Sequence, residues 1–427
     1  MIVHSCRRLT IAVAGTLALA AVLAPSMPAT ADPGDGHDRT LHTVELPTAK
    51  TAATMQSVAV SGSASCATPS ADQRRQPDYY VSCVSFRTAS RAEMSAAVGV
   101  AASSLWCDGL GAQDWWLTRT EVCIYGLIGQ YTFWIEPTHE IVGTARYLLS
   151  HDINTKPGNG ADIHENAFVE QIAGTGVGKA TQVRFTAKCT GQCTTHDPDG
   201  YSGPMAIGSN EEALFSYTGN PVVGTPDSFR LQYTLAAFPS SGGNSSNQPI
   251  RYEFPSDIRC DQPDNAPPGC VVPLFRPTLE LPLAKYGAAA VNIAIAQNYF
   301  PDGWGLTTPL SREPSEAKQD ANRRAICEDG TFVPDPAVPK DSCDEFAFAA
   351  SKQSGAAFGL TGVNCAEITP VFENGQWYAY IWSDGYTERC VRGHVPLPDN
   401  SAVGGELGRF TQSERLLEND QYWTAIL

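Results

Sequence analysis

The stretch EVCIYGLIGQYTFWI, residues 121–135, decides the fold. Isoleucine, valine and aromatic residues crowd it, with two glycines and no proline. That composition suits a long strand, because branched and ring side chains pack well on a pleated surface. TQVRFTAKC (181–189), EALFSYTG (212–219) and SFRLQYTLAAF (228–238) repeat the texture, separated by Gly, Pro, Asn and Asp. From about 80 to 255 the chain therefore reads as a β-rich domain, expected to be a β-sandwich. Within it SRAEMSAAVGVAASSLWC (90–107) reads equally as a short helix or an alanine-rich strand edge, and PSSGGNSSNQP (239–249) as a surface loop. HDPDGYSG (196–203) is turn chemistry, since it lacks the further spaced acids of a calcium-binding loop.

Residues 1–31 read as a secretory signal peptide. Arg7 and Arg8 precede the apolar run LTIAVAGTLALAAVLA, and Ala29-Thr30-Ala31 is a small-x-small cleavage signal. No later run is long and apolar enough for a membrane span, so the expected address is extracellular, with no membrane association after signal removal. Residues 32–79, rich in Ala, Ser, Thr and Pro, read as a linker or loosely ordered arm. Of 13 cysteines, Cys6 leaves with the signal. The others, Cys66, Cys83, Cys107, Cys123, Cys189, Cys193, Cys260, Cys270, Cys327, Cys343, Cys365 and Cys390, form an even set that favours disulfides of undetermined pairing. The close pair Cys189/Cys193 is expected as a hairpin disulfide rather than half of a zinc site, because no second close pair follows at zinc-finger spacing.

The chain carries 29 Lys and Arg against 45 Asp and Glu, a net charge of −16 that becomes −18 once Arg7 and Arg8 are removed. Such a surface repels polyanions at long range and argues against an extended basic groove. If nucleic acid is the substrate, local arginines and a metal must hold it.

After about 256 the texture changes to α+β. LAKYGAAAVNIAIAQNYF (283–300) reads as a helix, and PSEAKQDANRRAIC (314–327) as another, capped by Ser315, with Glu316 in its first turn and arginines near its end. AEITPVF, QWYAYIW and QYWTAIL read as strands, and NSAVGGELGRF as a helix starting from Asn400 or Ser401.

In this region the order RCD (259–261), GCV (269–271), PTLEL (277–281), PLSR (309–312), NRRAIC (322–327), CDEFAFA (343–349) and DNSAVGGELGRF (399–410) resembles the actinobacterial secreted branch of the NucA/NucB deoxyribonuclease family. The resemblance covers about 259–427 and says nothing of the β-rich half. It implies an α+β nuclease-like domain that hydrolyses DNA phosphodiesters with a divalent metal, Mg2+ or Mn2+, as cofactor. Asp344 and Glu345 fall on the family's acidic pair, as metal ligands and catalytic groups. Asn400 falls on its Asp-Asn motif, as a ligand or phosphate-positioning group beside Gly404 and Gly405. Arg323 and Arg324 are candidate phosphate contacts. Three positions depart from the pattern. Asn292 stands where the family carries His, and Lys352 and Gln353 stand where it carries glutamate. An amide cannot shuttle protons near neutral pH and an ammonium repels a cation, so the expected site is weakened, and a catalytically inactive binding protein is the alternative. Each residue also has a structural explanation: Asp344 as cap of a helix after Cys343, Asn400 as a helix N-cap, the arginines as solvated dipole partners, and His394 as a surface histidine.

Overall fold

The computed structural model describes residues 40–46, 55–59, 63–76, 79–90, 93, 105–107, 110, 114–136, 138–155, 160–242, 244–263 and 266–427. The expected signal peptide lies outside the described residues, as does most of the 90–107 segment.

The strand Glu121–Glu136 shows how side-chain parity builds the core. Val122 and Ile124 point inward, but beyond Gly126 the inward set becomes Leu127, Tyr131 and Phe133. The switch from even to odd positions occurs at a bulge between Tyr125 and Leu127, where Gly126 adopts φ 109°. Only glycine enters that region without a Cβ penalty, so one residue re-aims the rest of the strand.

Among the described residues this strand belongs to a ten-stranded sheet, in which it pairs with Tyr79–Thr88 and Glu140–Asn154. A six-stranded sheet centred on Ala180–Gly191 and Asp227–Pro239 faces it. One apolar cluster, including Trp115, Tyr131, Leu149, Phe185, Leu231 and Phe254, fills the space between them. The expected β-sandwich is present. The cluster continues through Cys260, Cys270 and Phe275, so the sandwich takes in the RCD and GCV segments and runs past residue 255.

The 32–79 segment supplies strands to both halves. Ser63–Cys66 pairs with Tyr79–Thr88, while Thr40–Glu45 forms an edge strand beside Gln376–Ser383 in the C-terminal half. Ser245–Ser246, in the expected surface loop, also pairs, running parallel to Tyr80 and Val81. The expected 196–203 turn is confined to 196–198, because Asp199–Ala206 is a strand paired with Ala180–Gly191; Asp199 takes Arg184 and Asp197 takes the Ser216 hydroxyl, which leaves those carboxylates to structural partners. All twelve cysteines pair: 66–83, 107–123, 189–193, 260–270, 327–343 and 365–390. Six disulfides point to an oxidising environment. Among the described residues no helix is long and apolar enough to cross a membrane.

The C-terminal half holds a five-stranded sheet in the order 40–45, 376–383, 366–373, 391–396 and 341–346, and a three-stranded sheet that includes Gln421–Ile426. Helix α1, Leu283–Tyr299, packs its alanine and isoleucine face on the first sheet. It kinks at Gly287 (φ 46°), where Asp399 Oδ2 accepts a hydrogen bond from Ala288 N at 3.1 Å. A Cβ at Gly287 would lie 2.6 Å from that oxygen. Helix α2, Glu316–Cys327, starts at Ser315, whose hydroxyl accepts from Lys318 N. Helix α3 spans Leu397–Ser413 and begins three residues before the expected Asn400 cap, with proline in its first turn.

A buried charge cluster ties the halves together. Asp420 receives Arg119 at 2.8 Å and both its oxygens receive Arg259 at 2.7 and 2.8 Å. Arg415 donates to Asp261 from the other side at 2.8 Å. Removing Asp420 leaves Arg119 buried without its ion-pair partner and Arg259 with only Asp261, at 3.6 Å. Asp420→Ala is expected to cost about 3–5 kcal/mol, read as a lowered urea midpoint of the full chain.

Candidate active site at the edge of the C-terminal sheet

The acidic pair sits on a strand. Asp341–Phe346 is the sheet's outer strand and pairs with Val391–Pro396, with Asp344 opposite Gly393. The expected helix after Cys343 is therefore absent, and Asp344 caps nothing. The strand borders the sheet, and the Cys327–Cys343 disulfide fastens it to α2. Successive side chains on a strand point to opposite faces. Asp344 consequently faces α1 and Glu345 faces α2, so the two acids are not a side-by-side pair.

Asp344 is buried against α1. Asn292, itself fully buried, donates its amide to Asp344 O at 3.0 Å and to Oδ2 at 3.1 Å. Gly393 makes this possible, because a Cβ there would lie 2.5 Å from Asn292 Cγ. Burial raises the Asp344 carboxyl to about 7, the Asn292 hydrogen bond opposes the rise, and the Glu345 charge adds to it. Asn292 is thus the group that holds the acid, although an amide cannot carry a proton. Its Oδ1 has no partner among the described residues, a burden of about 1–3 kcal/mol.

On the other face, Cys327 Sγ lies 3.4 Å from Glu345 Oε2. Burial raises the Glu345 carboxyl and the Arg323 charge lowers it. Asn400, one turn into α3, donates Nδ2 to Cys343 O at 2.9 Å and to Ser342 Oγ at 3.2 Å. It ties α3 to the border strand rather than capping the helix, and leaves its carbonyl oxygen for another partner.

A cavity of about 260 Å³ wraps this border, lined by Asp344, Glu345, Asn400, Arg323, Arg312 and Gly404 among others. It unites the acids, the amide and one of the two proposed arginines. Arg324 is exposed and outside the lining; Lys352 and Gln353, both half-buried, also lie outside it. Lys352 is engaged by Glu313 and Glu418, each at 2.7 Å, and Gln353 by the Ser311 amide. The lysine therefore meets carboxylates elsewhere instead of repelling a cation in the cavity.

Sequence reasoning missed Arg312. Its guanidinium is half-buried, with no side-chain ion pair or hydrogen bond among the described residues, and burial lowers its pKa. Its backbone is clamped, its N–H donating to Asp420 O and its carbonyl accepting from Asn419 N. The available signal was its place in PLSR, but nothing local distinguishes it from a surface arginine.

The fit of a divalent ion can be judged from the donors. Among the described residues no group of three or more His, Cys, Asp or Glu is placed to hold a metal. Asp344 Oδ1 and Asn400 Oδ1 are hard oxygens left over by the internal hydrogen bonds. Mg2+ and Mn2+ accept such a sparse set, because they draw their remaining ligands from water and phosphate.

His394 is not a surface residue. It is buried, takes Asp341 at 2.7 Å and Glu367 at 3.5 Å, and stacks on Phe332. Glu367 also receives Arg392 Nε at 2.6 Å. Desolvation disfavours the imidazolium, but the hydrogen bonds it donates to both carboxylates outweigh that and raise His394 to about 9.

No family model matches the chain, and no curated protein matches it. Among solved structures, the native conformation of E. coli alpha-2-macroglobulin is similar over 33% of this chain and 9% of that one, at 11% identity and a TM-score of 0.18, which carries no argument. Fold and site define a disulfide-bonded, β-rich protein with an acidic and arginine-lined cavity at a sheet border.

Two titrations check this geometry. Asn292→Ala removes a donor to the Asp344 carboxylate and is expected to raise its pKa above about 7, read by carboxyl-carbon NMR of the metal-free protein. Because His394 titrates higher folded than unfolded, its stabilisation is complete below about 6.5 and lost as pH rises through about 9. That loss is ~3 kcal/mol, and His394→Gln is expected to flatten it in urea melts across this window.

Proposed function

We propose that this is a secreted, metal-dependent hydrolase of DNA phosphodiesters. The observation that carries the reading is the convergence of Asp344, Glu345, Asn400, Arg312 and Arg323 on one cavity. The apolar N-terminal run and the disulfides support export. The motif order over 259–427 supports the substrate class.

Phosphodiester cleavage needs a proton acceptor for the attacking water, compensation for charge developing on phosphate, and a fixed orientation. Asp344, raised to about 7 by burial in the metal-free protein, has an Oδ1 that together with Asn400 Oδ1 would hold a divalent ion, whose charge would return the carboxyl to its ionised form. That ion, when bound, supplies Lewis-acid polarisation of the phosphate. Arg312 offers a half-desolvated guanidinium to phosphate oxygens, and Arg323 supports it from the Glu345 side. Arg323 is held by Asp320 at 3.0 Å, and its charge also favours the ionised form of Glu345. With a net charge of −16, binding rests on these local cations, so few phosphates are contacted.

Plasmid nicking by the oxidised protein with Mg2+ or Mn2+ tests the reading. Cleavage is expected to vanish with chelator and with Asp344→Ala, and Arg312→Ala is expected to lower kcat/KM by about 10²–10³. A second reading, a non-catalytic binder on a nuclease-like scaffold, is favoured by the divergence of the two acids and by the amide at 292. Absence of cleavage at every metal concentration would establish it over the hydrolase.

A further inference from the structure

The face of the five-stranded sheet away from α1 is covered at one border, where the Cys327–Cys343 disulfide holds α2 and Phe332 stacks on His394 at 4.6 Å. The other half of that face has a different character. On strand Gln376–Ser383, Ala379 and Ile381 point to α1, so alternation sends Tyr378, Tyr380 and Trp382 to the opposite side. All three rings are partly exposed, and none has a hydrogen-bond or stacking partner among the described residues. The register sets Thr43 and Glu45 beside this row on one flank and Val371 on the other.

Shape and charge together say what such a row would take. Rings at alternate positions of one strand lie in line over about 13 Å, which suits an extended chain of several units better than a single small molecule. Strands 40–45, 366–373 and 376–383 contain no lysine or arginine. The free charges on this face are carboxylates, Glu45 and Glu373, and burial together with the Glu373 charge raises the Tyr380 phenol. A polyanion would meet those acids with no cation to hold its backbone, which argues against nucleic acid and acidic glycans here. The phenol hydroxyls and the indole N–H, left without internal partners, call for a ligand that is polar at its rim and apolar on its faces. An uncharged sugar ring has that form: its C–H face stacks on an aromatic ring, and its hydroxyls bond to the phenols and carboxylates around it.

We propose that Tyr378, Tyr380 and Trp382 form a binding platform for an extended, uncharged polysaccharide of β-linked sugars. The straight row fits a ribbon-like chain rather than a coiled one. The platform lies on the opposite face of the sheet from α1 and Asp344, and its binding is independent of the acid cavity and of its activity.

Isothermal titration of the full oxidised chain with cellohexaose, chitohexaose and a short oligothymidylate tests it. One of the two hexasaccharides is expected to bind with submillimolar affinity. Tyr380→Thr and Trp382→Thr, which keep a strand-forming residue, are each expected to weaken binding about tenfold, with urea melts confirming the fold. Hydrogen exchange of the unaltered chain reads the same contact without a variant, and the hexasaccharide is expected to slow exchange in strands 40–45 and 376–383. Asp344→Ala is expected to leave binding unchanged, which separates this platform from the hydrolase reading. Failure of both hexasaccharides to bind, oligothymidylate binding as tightly as either, protection confined to other strands, or full affinity in the folded Tyr380→Thr and Trp382→Thr variants overturns the proposal.

Discussion

Much of this structure depends on one carboxylate, Asp420. It neutralises two sandwich arginines, Arg119 and Arg259, in a region where an unpaired guanidinium would be costly. Its backbone oxygen meanwhile receives the amide of Arg312, which lines the acid cavity. Side chain and main chain of one residue thus join the β-sandwich to the C-terminal half and set the position of the cation facing Asp344. The sandwich is mechanically part of the site even though none of its residues line that cavity.

The cavity itself shows how burial and local partners share control of charge. Desolvation raises both Asp344 and Glu345; the Asn292 amide opposes it for the first, and backbone N–H groups together with the Arg323 charge oppose it for the second. Strand alternation separates these two environments across a single peptide unit. Asp344 is left as an acid poised near neutrality, and Glu345 lies in the field of Arg323, whose ion-pair partner is Asp320. Lys352, adverse on paper, is neutralised at a distance by Glu313 and Glu418.

The legible parts of this protein are those written locally. Branched and aromatic runs marked the strands of the sandwich, Ser315 marked the start of α2, and the short Cys189/Cys193 spacing marked its own disulfide. Misreadings arose where tertiary pairing overrode local chemistry. CDEF looked like a capped helix start because Asp before an alanine-rich run often is one, but the Val391–Pro396 strand offers it a ladder. Thr40–Glu45 looked loose because nothing nearby in sequence pairs with it, its partner lying more than three hundred residues on. Gly126 carried no visible sign that it would reverse the inward face of its strand.

The sequence by itself determined the β-rich class, the disulfide chemistry and the acidity, because composition and short-range spacing carry those properties. Tertiary structure alone decided that Asp344 and Glu345 diverge, that Asn292 holds the first of them, that Arg312 joins them, and that His394 is buried among carboxylates. These depend on which face of a strand meets which helix, and that is settled by packing between segments far apart in the chain, where burial and pairing outweigh any local preference.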